Sequence, residues 1–292
     1  MKPAVYLQAN QKQLLAARVA AHAARHSSPD GDAFDVQILL LDDFPQLYGR
    51  EGQTYLRDGL TAVWRNDNLQ SFTPLRFAAA QVHGFTGRAL VIDPDIFAIA
   101  DLTELLGRDM GGAAVMARRV PPKPGRPEAY WDTSVMLLDC DKLRHWNWAR
   151  QLDDLFAQRM DYRQWMTLSL ENQSTIAPLE EEWNCHDVLD ERTKILHNTR
   201  MITQPWKTGL PVDFVEAWQA RTPRELARYA RDRLHYRGKT YEPHPDPRQE
   251  QLFFTHLRQS LEDGVISEAE VREAIAQRHI RQDALERARA VA

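Results

Sequence analysis

The segment Ala89-Leu90-Val91-Ile92-Asp93-Pro94-Asp95 constrains this chain more than any other. Four consecutive apolar residues, two of them β-branched, are too few for a buried helix and read as a strand covered on both faces, as in a parallel sheet flanked by helices. Such sheets bind ligands outside the carboxyl ends of their strands. Asp93 and Asp95 stand at that end, and alternate side chains of an extended segment share a side, so the two carboxylates converge. Pro94 fixes its own φ and biases Asp93 toward extended backbone. Convergent carboxylates repel unless a cation lies between them. The competing reading of the same residues is an Asp-Pro turn that caps the next segment.

The flanking sequence continues a β-α-β rhythm. Residues 4–7 form a short apolar run, 11–24 carry Leu14, Leu15, Val19 and His22 at helical spacing, and 34–41 read as a buried strand ending at Asp42-Asp43. Thr73-Pro74 opens a helix bearing Leu75, Phe77 and Val82; 113–117 and 134–138 are further buried strands, and a Trp-rich helix over 142–156 follows the second. Residues 120–126, with three prolines and a glycine, read as a loop over a cleft. After Pro211 the pattern changes to capped helices. Thr222-Pro223-Arg224-Glu225 and Ser267-Glu268-Ala269-Glu270 are capping boxes, and Asp246-Pro247-Arg248-Gln249 repeats the form. Phe253, Leu257 and Leu261 form one stripe that Gly264 ends. The expected organisation is an α/β domain over 1–210 and a helical appendage over 211–292.

Composition narrows the chemistry. A net charge of -4 without a long Lys/Arg run argues against nucleic acid as partner. Two cysteines, Cys140 and Cys185, make no disulfide framework and suit a reducing compartment. No apolar signal core opens the chain and no run reaches the ~18 apolar residues of a membrane span. The expectation is cytoplasmic, with peripheral membrane contact open to the last helix. No glycine-rich phosphate loop of either common type occurs. A phosphorylated ligand would then need a metal.

In the order of its motifs the chain resembles the family-8 type of glycosyltransferases, relatives of glycogenin and of lipopolysaccharide galactosyltransferases. Phe72-Thr73-Pro74-Leu75-Arg76-Phe77 precedes the strand that ends in Asp93-Pro94-Asp95; Trp131-Asp132-Thr133-Ser134-Val135-Met136-Leu137, Glu171-Asn172-Gln173, Trp183-Asn184 and the stretch from His197 to Pro205-Trp206 then follow in family order. The similarity spans about residues 4–210. It implies a GT-A-like, Rossmann-type mixed sheet and a metal-dependent retaining hexosyltransferase that takes a sugar from a nucleotide sugar, UDP-linked by default, to a glycan or lipid-linked glycan. Asp93, Asp95 and His197 would hold Mn²⁺ first and Mg²⁺ second, a choice consistent with oxygen and imidazole donors.

Other roles follow from the same resemblance. Arg76 would anchor the donor, Tyr6, Leu7 and Gln8 the base, with Pro94 beside them; Trp183 and Asn184 would meet a sugar. Gln173 or Asp132 would steady the cationic sugar while the leaving phosphate oxygen takes the acceptor proton, and Asn172 belongs to the same catalytic block. The chain departs from the family at Ser134 (glycine), Asp132 (asparagine) and Gln204 (lysine), and Arg200 and Lys207 are the candidates to replace the missing lysine charge. Two other readings fit these residues: a non-catalytic nucleotide-sugar or glycan-binding protein, and a metal-dependent phosphohydrolase.

Overall fold

The computed structural model describes residues 1–122 and 128–291. The loop expected over 120–126 lies mostly outside the described residues, and Val120 itself ends a strand.

Eleven strands occur among the described residues: β1 (Ala4–Ala9), β2 (Asp35–Leu40), β3 (Thr54–Arg57), β4 (Leu60–Val63), β5 (Arg88–Ile92), β6 (Ile96–Ala98), β7 (Val115–Val120), β8 (Tyr130–Asp139), β9 (Ile176–Leu179), β10 (Cys185–His186) and β11 (Ile195–His197). The helices are α1 (Leu14–His26), α2 (Pro45–Tyr48), α3 (Ala79–Val82), α4 (Leu102–Leu106), α5 (Trp148–Phe156), α6 (Tyr162–Met166), α7 (Pro223–Tyr236), α8 (Pro247–Glu262), α9 (Glu268–Ala276) and α10 (Ala284–Ala290).

The central sheet has the order β2-β1-β5-β8-β7-β9. β8 runs antiparallel to both its neighbours and the other pairs are parallel. The amino end of β8 therefore meets the carboxyl ends of β1, β5 and β7 at one edge. A small second sheet, β10-β11-β6, continues from that edge, and β3 and β4 pair with each other.

Strand alternation sorts the core into two layers. Tyr6, Val91 and Met136 face a layer with Phe77, Trp146 and Trp165. Val5, Leu7, Leu90, Ile92, Val135 and Leu137 face the other, built on α1 and the C-terminal helices. Phe253, Phe254 and Leu257 of α8 are fully buried there, at ~1.5–3 kcal/mol for each such side chain. Trp206 stacks on Phe253 at 4.9 Å between ring centroids.

Three expected elements differ. β2 is an edge strand with only Leu39 buried, because it pairs with β1 alone. The Trp-rich helix starts at Trp148, where the Asn147 side chain accepts from Arg150 N and caps it, and a short 3₁₀ turn covers 140–142. The helix expected from Thr73-Pro74 is a 3₁₀ turn over Thr73–Phe77, followed by the short α3. In the tail, both capping boxes are present. Asp246 also caps α8, and Gly264 turns the chain after it with φ of 67°.

Candidate active site

A cleft of about 810 Å³ opens at the shared sheet edge. Its floor is made by three register relations. The backbone N–H of Asp93 donates to Ser134 O at 3.2 Å, so the end of β5 lies against the bulged part of β8. In β8, Met136 pairs with Ala117 but Asp132 pairs with Arg118, so Thr133, Ser134 and Val135 have no counterpart on β7. In the small sheet, His186 pairs with His197 and His197 with Ile96, which brings the His197 imidazole beside Asp95 and the His186 imidazole beside Asp132.

The side chains form one directed network. Ser134 Oγ donates to Asp132 Oδ1 at 2.6 Å and accepts from Asn184 Nδ2 at 3.2 Å. Asn184 Oδ1 faces His197 Nδ1 at 2.9 Å, and an amide oxygen only accepts, so the proton of His197 sits on Nδ1. Burial pushes the His197 pKa down to about 3, against the pull of Asp132, and the ring is neutral at pH 7. Nε2 then carries the lone pair and lies 3.8 Å from Asp95 Oδ1.

The two aspartates of the β5 terminus differ in state. Asp93 is locked in a buried two-point pair with Arg76, whose remaining nitrogen donates to Thr133 Oγ1 at 2.8 Å. Asp95 accepts only an amide, from Gln204 Nε2 at 3.1 Å, and burial followed by the charge of Asp93 pushes its carboxyl up to about 8. A half-buried carboxyl without a cationic partner, 3.8 Å from a neutral imidazole, is a donor set suited to a divalent ion. Burial also raises the Asp132 pKa, but the adjacent His186 and His197 and the hydroxyl of Ser134 outweigh it and hold the carboxyl below the usual range. His186 Nε2 lies 2.8 Å from Asp132 Oδ2. Asp132, His186 and His197 place three ligand atoms within 4.8 Å of one another; Asp93, Asp95 and His197 do not form such a group.

The expected site residues divide accordingly. Arg76, Asp93, Asp95, Asp132, His197 and Arg200 line the cleft. Arg200 is exposed at its rim and its guanidinium makes no ion pair among the described residues. Arg76, expected to hold a donor, instead holds Asp93.

Other residues do not line the cleft, each for a physical reason. Tyr6 and Leu7 point into the two core layers, and the Tyr6 hydroxyl meets His83 Nδ1 at 3.1 Å. Gln8 is buried and donates to Tyr6 O, and Pro94 is buried between the two aspartates. Gln173 spends its amide on Trp131 Nε1, Leu168 O and Glu171 O, and Asn172 caps the turn at Ser174. Trp183 is a core residue with Lys194 Nζ over its ring at 4.5 Å. Asn184 is fully buried and orients His197 rather than meeting a sugar. Lys207 is fully buried and paired with Asp213 at 3.2 Å.

Sequence reasoning missed His186, Gln13 and the α6 residues Tyr162, Arg163 and Met166, all of which line the cleft. For His186 a signal existed: in extended backbone it shares a side with Asn184, two residues earlier. For α6 none did, since chain order does not reveal which turn enters a cleft.

No family model matches the chain, and no curated protein matches it. Solved structures do. The galactosyltransferase LgtC, in complex with donor and acceptor sugar analogues, is similar with 15% identity over 78% of this chain and 95% of its own, at a TM-score of 0.48. The glycosyltransferase GlyE of Streptococcus pneumoniae TIGR4 is similar with 15% identity over 91% of this chain and 64% of its own, TM-score 0.49. Mouse xyloside xylosyltransferase 1 is similar with 14% identity over 69% of this chain and 99% of its own, TM-score 0.43.

Proposed function

We propose that the chain is a metal-dependent retaining glycosyltransferase acting on a nucleotide sugar, UDP-linked by default, with a glycan or lipid-linked glycan as acceptor. The observation that carries this reading is the pairing of an uncompensated Asp95 with the Nε2 lone pair of His197 inside a cleft at the sheet edge. These two groups would hold Mn²⁺ or Mg²⁺, with Asp93 behind Arg76 as an outer support. The ion would neutralise the diphosphate as it departs. Arg200, exposed at the rim, supplies a guanidinium to a donor phosphate. Asp132, kept ionised by Ser134 and His186, stabilises positive charge that develops on the sugar. Ser134 and Asn184 hold His197 in the tautomer that leaves Nε2 free.

The test is release of the nucleoside diphosphate from a panel of nucleotide sugars with and without Mn²⁺. Release should require metal and fall by about 100-fold or more in Asp95→Asn, with circular dichroism unchanged. If no nucleotide sugar is turned over, and none raises the melting temperature in a metal-dependent way, the reading fails.

A second reading, a nucleotide-sugar-binding protein without turnover, is favoured by one feature. Gln204, a neutral amide, contacts Asp95, and Lys207 in the same segment is turned away to Asp213. It predicts metal-dependent donor binding with no product release.

A further inference from the structure

Away from the cleft, one other group among the described residues brings three metal-ligating side chains within 4.8 Å of one another: His22, His26 and Asp263. The two histidines are one turn apart at the end of α1, with their rings stacked at 5.3 Å and 22°. Asp263 is the C-cap of α8, and its Oδ2 lies 2.8 Å from His22 Nε2. His22 is buried, whereas His26 and Asp263 are exposed, so one ligand is fixed by packing and the group is open to solvent.

The local field also favours a cation. α1 and α8 both end here, and each helix presents the negative end of its dipole. A carboxylate at a helix C-terminus is unfavourable on its own, and a positive charge beside it removes that cost.

We propose that His22, His26 and Asp263 form a binding site for Zn²⁺ or a chemically similar ion such as Co²⁺ or Ni²⁺. Two imidazoles at i and i+4 with one carboxylate are donors for these ions rather than for Mg²⁺ or Ca²⁺, which take oxygen. Three protein ligands leave a position for water. The site joins α1 to a helix that is 241 residues away in sequence, measured from His22 to Asp263. Because it exists only when α8 is docked, metal binding stabilises the docked arrangement.

The experiment is a Zn²⁺ titration of the full chain against a chromophoric chelator, in the parent, His26→Ala, Asp263→Asn and His197→Ala, the last reporting on the cleft. The parent should bind an equivalent that His197→Ala retains and that His26→Ala and Asp263→Asn weaken by ~10-fold or more. In the His197→Ala background Co²⁺ should give a visible absorption band and Zn²⁺ should raise the melting temperature, and adding His26→Ala to that background should abolish both. His26 is exposed, so this variant keeps its fold. Parent-like affinity and stoichiometry in His26→Ala would overturn the proposal and leave His22 and Asp263 as a simple ion pair. Loss of all Zn²⁺ binding in folded His197→Ala would overturn it too.

Discussion

The hydroxyl of Ser134 donates to Asp132, accepts from Asn184 and lies 3.2 Å from His197 Nδ1, so a single side chain couples the acid, the amide and the imidazole. Removing the amide should act through His197. Asn184→Ala leaves the buried Nδ1–H and the Ser134 lone pair without their partner, at a cost of ~1–3 kcal/mol in stability. The ring also loses the group that fixes its tautomer, and the Mn²⁺ concentration needed for half-maximal donor binding should rise by ~10–100-fold. Denaturant melts and metal-dependence curves measure the two effects separately. At this scale the sequence was partly legible. Asp93, Asp95 and His197 could be placed in one cleft because they sit at strand ends in a familiar order. That Asp93 is spoken for by Arg76 could not be read, since the pairing depends on the rotamer of an arginine 17 residues upstream. Ser134, one of the departures from the family pattern, is the hub of the network.

At the level of elements, a continuous apolar run predicted β5 and its terminal aspartates, and strand alternation lets that run fill a core layer on each face. The same alternation explains why Tyr6 fails as a base-stacking residue: its neighbours Val5 and Leu7 claim one face, and Tyr6 goes to the other. Turns were harder to read. The amide of Gln173 is consumed by its own loop, while α6, which carries no sequence motif, enters the cleft. The 3₁₀ turn over Pro205–Lys207 supplies a further test. Its Lys207 ammonium is buried against Asp213, which also accepts from the Tyr241 hydroxyl at 2.6 Å. Burial pushes the Lys207 pKa from 10.5 down to about 8, against the pull of Asp213. Between these values the unfolded chain holds more protons than the folded one, so this group's contribution to stability rises with pH. Asp213→Asn should cost about 3 kcal/mol at neutral pH, because it leaves a buried charge unpaired. The deficit should shrink as pH rises through 8 and neutral Lys207 needs no counter-charge. Urea unfolding of parent and variant at pH 7 and pH 9 decides this, and a deficit that stays constant would contradict the assignment.

Across the whole molecule, the last helices complete the core begun by the first strand and also touch the site. Gln249, in the first turn of α8, is 1% exposed; its Nε2 donates to Asp187 O at 2.9 Å and its Oε1 accepts from Asn198 Nδ2 at 2.5 Å. Asn198 follows His197, and its N–H donates to Asp95 O at 3.1 Å. Gln249 thus braces both arms of the small sheet without lining the cleft. Gln249→Ala should lower stability by ~1–3 kcal/mol and reduce turnover, while leaving donor specificity unchanged. Comparing kcat across the donor panel, alongside thermal melts, checks this; unchanged turnover in a destabilised protein would limit Gln249 to a packing role. The sequence marked α8 as a capped amphipathic helix but gave no sign that its cap reached the site, because Gln249 occupies the position of a capping-box partner. During synthesis the sheet edge and both histidines of the cleft emerge well before residue 249. A nascent chain that has not yet released α8 would carry every cleft residue named above and still lack the brace that aligns them, so activity should switch on late in translation, with docking of this helix rather than with formation of the sheet.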